Sequence, residues 1–180
     1  MNHDEWIREE FPTISRSLGF IFTPAEEIGE RHRKLRKRME AEGMEAFLVV
    51  QKMDCFYLSG TAQDALLFVP LDGEPLLLVK RELERARIDS SLEHVAGLTS
   101  LRNLPSLVAD HVGRELRVLG LEMDILPVRD YFRLQSLFPN SKLVDGSGIL
   151  RDLRKIKSPF EIDLMRKAGE RPNPPMGESD

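Results

Sequence analysis

The stretch Ala65-Leu66-Leu67-Phe68-Val69-Pro70-Leu71-Asp72-Gly73-Glu74-Pro75-Leu76-Leu77-Leu78-Val79 reads as two apolar runs around a turn. Ala65 to Val69 and Leu76 to Val79 have the length and unbroken apolar character of buried strands. Between them lies Asp72-Gly73, the dipeptide that most readily supplies the backbone geometry of a tight reversal. The segment is therefore a β-hairpin, and the sheet that holds it contains an antiparallel pair.

Upstream, Ala46 to Gln51 is another short apolar run and reads as a buried strand. Asp54 to Leu58 is expected as a second extended piece, broken at Ser59-Gly60. Thr23-Pro24-Ala25-Glu26 has the form of a capping box, starting a helix to about Glu42 that Gly43 closes. Ile28, Leu35 and Met39 share one face of it, with His32 in line. Downstream the periodicity alternates. Glu82 to Ser90 is helix-like, Glu93 to Ala96 a short strand, and Asn103 caps a helix through Val112. Leu116 to Leu121 is a strand, and Pro127 starts a helix to about Phe138 with Val128, Tyr131, Phe132 and Phe138 on its apolar face. Lys142 to Val144 is the last strand, and Asp145-Gly146-Ser147-Gly148 turns into a short helix bearing Ile149, Leu150 and Leu153. Alternating strands and helices imply an α/β fold, three layers with helices flanking the sheet, and the hairpin makes that sheet mixed.

The two ends differ from this body. Residues 1–22 carry Trp6, Ile7, Phe11, Ile14, Leu18, Phe20, Ile21 and Phe22 without a clean period. They are expected to form an arm folded back over the body, a self-association surface being the alternative. Ser158-Pro159-Phe160-Glu161 is a second capping box, and Phe160, Leu164 and Ala168 recur every four residues behind it. Residues 158–168 are read as a linker helix. From Gly169 a polar tail with Pro172, Pro174 and Pro175 is expected to be disordered. The expected organisation is thus an arm at 1–22, a body at 23–157, a linker helix at 158–168 and a tail at 169–180.

Composition sets the class. With 41% hydrophobic and 31% charged residues in 180, and a net charge of -4, the chain suits one domain with a real core. The acidic balance argues against nucleic acid or an anionic membrane as partner. No signal peptide or membrane-length apolar run is seen, and a single Cys55 fits a reducing compartment, so a cytoplasmic location is expected. The run Arg31, Arg33, Lys34, Arg36, Lys37 and Arg38 reads as a solvated helix face, balanced by Glu27 and Glu30 four residues before Arg31 and Lys34.

No local pattern carries chemistry. His3, His32, His94 and His111 stand apart, without ligand spacing. Cys55 has no helix start behind it and no basic neighbours, and is read as a small buried hydrophobe. Ser147 lies in Gly-Ser-Gly, which is not a nucleophile elbow. A site assembled in space from carboxylates or histidines is left open.

Several segments together resemble one family. They are Arg33 to Gly43 followed by Ala46 to Val50, Phe56-Tyr57-Leu58-Ser59-Gly60-Thr61, the Asp72-Gly73 hairpin, Val144-Asp145-Gly146-Ser147, and Leu153-Arg154-Lys155-Ile156-Lys157-Ser158-Pro159-Phe160-Glu161-Ile162. Their order and spacing are similar to the amino-terminal domain of creatinase, prolidase and the Xaa-Pro aminopeptidases. The resemblance implies a creatinase-like amino-terminal fold, non-catalytic, that serves oligomerisation, as in a dimer, and shapes the active site of a parent metallopeptidase. In that family two divalent metals, held by two Asp, one His and two Glu, belong to a following pita-bread catalytic domain. The resemblance therefore assigns no catalytic residue, metal ligand or cofactor to this chain, which reads as truncated before that domain. Partners implied are a second copy or a peptidase catalytic domain; a stand-alone protein-binding module is the alternative. Asp54, Tyr57 and Gln63, around the Tyr-Leu-Ser-Gly segment, are the candidates for touching substrate or a partner. Residues 159–168, including Phe160, Leu164 and Met165, are expected to expose apolar surface that a catalytic domain covers.

Overall fold

A computed structural model describes residues 2–170. The elements run α1 (His3–Glu9), α2 (Phe11–Ser17), α3 (Ala25–Ala41), β1 (Ala46–Val49), α4 (Lys52–Ser59), β2 (Ala65–Pro70), β3 (Leu76–Val79), α5 (Leu83–Asp89) and β4 (His94–Gly97). A 3-10 turn at Leu101–Asn103 follows, then α6 (Leu104–Val112), β5 (Val118–Leu121), α7 (Val128–Leu137), β6 (Lys142–Asp145), α8 (Ser147–Lys155) and α9 (Pro159–Gly169).

The six strands form one sheet in the order β4-β3-β2-β1-β5-β6. β2 runs antiparallel to both β1 and β3, and the other pairings are parallel. The hairpin places Phe68 opposite Leu76 and Ala65 opposite Val79. Period-two alternation divides the strands between two cores. Phe47, Val49, Leu67 and Leu77 face a layer made by α3, α4, α5 and α8, whereas Leu48, Phe68, Leu78 and Leu119 face α6 and α7. β1, β2 and β3 are buried throughout, which is why they read as continuous apolar runs. The fold is the mixed three-layer α/β arrangement expected. Among the described residues, no helix is long and apolar enough to cross a membrane.

Several local expectations are corrected. Asp54 to Leu58 is helical: the Gln51 side chain accepts the Asp54 N–H at 2.9 Å, and Gly60 closes α4 in the left-handed region (φ 81°). Cys55 and Leu58, three apart on that helix, point into the core. Cys55 thus does follow a helix start, yet burial pushes its thiol up to about 12 and keeps it inert. Thr23 does not cap α3; Pro24 holds that position with no side-chain hydrogen bond. Asn103 makes no side-chain cap either, because the 3-10 turn capped by Ser100 leads directly into α6. On α7 the buried side chains are Leu134 and the following Phe138, while Val128 and Phe132 are 70% and 60% exposed. The helix docks through its C-terminal end, so its first turn stands clear of the sheet.

At the N-terminus, α1 and α2 lie against the body. Ile7 and Phe11 are buried, Arg8 pairs with Glu84 at 2.8 Å, and the Arg85 guanidinium lies 3.5 Å from the centre of the Phe11 ring. Gly169, expected to begin the tail, is instead the last residue of α9, with Glu170 as its C-cap; the remainder of the expected tail, 171–180, lies outside the described residues.

Candidate functional site

The sequence candidates divide. Asp54 and Tyr57 sit one turn apart on α4, and both reach α8. The Asp54 carboxylate pairs with Arg154 at 2.8 Å, and the Tyr57 hydroxyl donates to the Leu153 carbonyl at 3.4 Å. Gln63 is not part of that group. It lies beyond the helix, and its backbone N–H donates to Thr61 Oγ1 at 3.3 Å.

Two further residues, Arg31 and Glu122, complete the arrangement around α4. Arg31, from the basic run, is buried rather than solvated. Its guanidinium lies 4.1 Å from the centre of the Tyr57 ring, donates to the Tyr57 carbonyl at 2.6 Å, and pairs with Glu27 at 2.9 Å and Glu161 of α9 at 3.8 Å. Arg36, in the same run, donates to the carbonyls of Pro70 and Gly73. The outer members behave as expected, with Arg33 and Lys34 both on Glu30. Glu122 is the second. It follows β5, is almost fully buried, and its Oε2 accepts the N–H groups of Val50 at 2.6 Å and Gln51 at 2.9 Å. Its Oε1 is buried without a hydrogen-bond partner, and the Asp54 carboxyl is a neighbour of the group. Burial first, and then the neighbouring Asp54 carboxyl, raise its pKa well above the usual carboxylate range. Glu122 is sealed from solvent and Asp54 is committed to Arg154, so these carboxyls fasten the fold; they are not an exposed acid–base pair.

The open space lies above the sheet. β1, β3, β4, β5 and β6 end at the same edge, and the strand order reverses direction beside β1. A crevice of about 780 Å³ occupies this edge, with Gln51, Asp64, Lys80, Arg81, Asp130 and Arg133 among its lining residues. This is where open α/β sheets place ligands. Lys80 and Asp64, both in its lining, pair at 3.0 Å. Gln51 also borders a second cleft, of about 360 Å³, with Asp54, Arg151, Arg154 and Lys157. The site therefore has a mixed-charge crevice on one side of Gln51 and a basic cleft on the other.

α9 lies next to this group. Phe160 and Leu164, four apart, are half-buried and line a cleft with Ile21, Phe56 and Tyr57. Ile162 and Met165 on the other side are 40% and 62% exposed. The expected apolar exposure is thus divided: Met165 is open, whereas Phe160 and Leu164 partly pack on the domain itself. Among the described residues, no three His, Cys, Asp or Glu side chains gather to enclose a metal ion.

Arg31, α4, Glu122 and α8, the centre of these contacts, fall within one family match. The model of the creatinase/prolidase N-terminal domain matches residues 31–156. The chain belongs to that family. A curated relative, the uncharacterized hydrolase/peptidase y4tL of Sinorhizobium fredii, is 24% identical over 164 residues, covering 81% of this chain and 42% of its own. The Xaa-Pro dipeptidase from Bacillus anthracis superposes with a TM-score of 0.69 at 18% identity, over 78% of this chain and 39% of its own. The N-terminal domain of the cytoplasmic peptidase PepQ from Mycobacterium tuberculosis superposes with a TM-score of 0.62 at 25% identity, over 69% of this chain and 98% of its own. The creatinase N-terminal domain here is similar to nearly the whole of that isolated domain, but spans well under half of the longer relatives.

Glu122 was not marked by its sequence context, although an acid directly after an apolar strand end is the one available signal. Arg31 was visible only as a member of the basic run, and Arg154 only within the segment that carries the family resemblance.

Proposed function

We propose that this chain acts as the non-catalytic amino-terminal unit of an Xaa-Pro peptidase-like metallohydrolase. It contributes contacts between subunits and shapes the entrance to an active site built elsewhere. The observation that carries this reading is the match of residues 31–156 to the creatinase/prolidase N-terminal domain, together with the structural likeness to nearly all of the PepQ N-terminal domain. The geometry supports it in two places. The crevice at the carboxyl ends of the strands is open and presents both signs of charge, as expected of a wall facing a short peptide. The outer face of α9 presents Ile162 and Met165 where a partner surface can cover them. Asp54 and Tyr57 then act as fasteners of α8, and Gln63 remains the candidate for direct contact with a partner or substrate.

The test is peptidase assay of the purified chain on Xaa-Pro dipeptides and longer Xaa-Pro peptides, with Mn²⁺ or Co²⁺ supplied. No turnover is expected. Robust turnover abolished by a chelator overturns the reading.

A further inference from the structure

The crevice at the strand ends holds charge that the domain itself does not use. One of its walls comes from the segments that follow β3 and β4, with Arg81 after β3. The other follows β5 and continues into α7, which supplies Asp130 and Arg133. In the sheet order, β2 and β1 lie between these walls. β3 and β5 thus stand three strand spacings apart, ~14 Å, so long side chains from both walls can meet one small molecule. Lys80 and Asp64 are in the same lining, but they neutralise each other. The guanidinium groups of Arg81 and Arg133 and the carboxylate of Asp130 have no ion-pair or hydrogen-bond partner among the described residues.

Much of the remaining lining is apolar. Leu66, Leu98 and Leu134 border the crevice and are otherwise buried in the domain. Two free cations, one free anion and an apolar surface together narrow the ligand. A hydrocarbon would leave all three charges unpaired, an amine would meet two guanidinium groups, and an inorganic anion would leave the leucines uncovered. A carboxylate suits the planar N–H fork of arginine. An ammonium group on the same molecule suits Asp130, and an aliphatic chain suits the leucines. A free amino acid carries all three groups on one carbon. The crevice, at about 780 Å³, has room for it and for the water around it.

We propose that the crevice binds a free α-amino acid with an apolar side chain, its carboxylate held by Arg81 and Arg133, its ammonium by Asp130, and its side chain laid on the leucines. The arginines come from different walls, so the ligand joins the β3 side of the crevice to α7. The assignment rests on the crevice and its unpaired charges, and it holds whether or not the chain serves a peptidase.

The experiment is titration of the full chain with L-leucine, followed by amide NMR shifts. Saturable shifts are expected at Gln51, Ser100, Leu101 and Leu134, with a Kd of about 1 mM or below. Arg81 and Arg133 are exposed, so Arg81→Ala and Arg133→Ala leave the fold intact. Each weakens binding by ~10-fold or more, the loss expected for a hydrogen bond to a charged group. Arg129→Ala, exposed on the same helix but outside the lining, changes nothing. Isocaproate, which lacks the ammonium group, and isoamylamine, which lacks the carboxylate, each bind more weakly than leucine. Glycine, which lacks the side chain, does so too. The absence of saturable shifts overturns the proposal, as do shifts confined to other surfaces or parent affinity in the Arg81→Ala, Arg133→Ala double variant. Isocaproate binding as tightly as leucine overturns the assignment to an amino acid. None of these readouts depends on turnover, so this proposal and the peptidase reading fail separately.

Discussion

The guanidinium of Arg31 stacks on the ring of Tyr57 while donating to the carbonyl of the same residue, so one cation holds both the side chain and the backbone of α4. Because Glu27 and Glu161 neutralise it, the charge is buried without being isolated. Arg31→Ala removes the stack and leaves two carboxylates and a carbonyl without their partner. The expected loss is ~3 kcal/mol in urea unfolding, the range for breaking a buried pair from one side. Tyr57→Ala alone costs less than removing the charge, and a double-mutant cycle gives a coupling of ~1 kcal/mol. Additive effects would show that the stack contributes nothing.

Glu122 makes stability fall as the solution becomes more alkaline. Its native pKa is raised, so above the ordinary carboxylate pKa the unfolded chain gives up this proton while the folded chain keeps it. The contribution is complete at or below the unfolded pKa and is lost as pH rises through the native value. Glu122→Gln can keep an oxygen for the Val50 and Gln51 N–H groups and offers a permanent donor to Asp54. The variant is expected to match or exceed the parent in mildly alkaline buffer and to flatten this slope, read as urea midpoints across a pH series. A steeper slope would contradict this account.

His32 acts at the other limb. Burial, and then the nearby Arg36 charge, lower its pKa to about 4, and its Nε2 has no hydrogen-bond partner. The folded chain holds it neutral while the unfolded chain protonates it near the ordinary value, so stability is lost as pH falls from about 6.5 toward about 4. His32→Leu is expected to shift acid unfolding to lower pH. An unchanged acid midpoint would assign acid unfolding to other groups.

Phe47 occupies the space above two glycines. A Cβ placed on Gly146, or on Gly120 of β5, would collide with its ring. Gly146→Ala therefore overpacks the layer between the sheet and α8, at an expected cost of ~1–3 kcal/mol. Phe47→Leu in the Gly146→Ala background is expected to recover part of the loss, measured as Tm. Full tolerance of Gly146→Ala would mean that the ring has somewhere else to go.

β1, β2 and β3 were legible because each is buried on both faces, and the hairpin because Asp72-Gly73 permits few alternatives. α4 was not. Met53 and Phe56 face outward with 54% and 40% exposure while Cys55 and Leu58 face inward, so five mostly apolar residues concealed a helical period in what reads as a short extended run. Its cap is a glutamine, outside the usual set of capping residues. The fastening around α4 was illegible for another reason. Arg31, Glu122 and Arg154 come from three elements far apart in the chain, and nothing local distinguishes a buried arginine from its solvated neighbours. Asp54 and Tyr57 were found because they lie beside and within the Tyr-Leu-Ser-Gly segment that carries the resemblance, and their contacts show what the spacing did not: both grip α8.

The central strand has one edge completed early and one completed late. β1 pairs with β2 almost at once along the chain, but its other edge waits for β5, with Ala46 against Leu119. During synthesis the β1–β2–β3 ribbon can close while that second edge is still bare, and an unpaired apolar edge invites pairing with another nascent chain. The arrival of β5 does two things together. It covers the edge, and it delivers Glu122 to the Val50 and Gln51 N–H groups that lead into α4. The late strand thus carries the stopper for the early helix, which ties the two halves of the domain into one cooperative event.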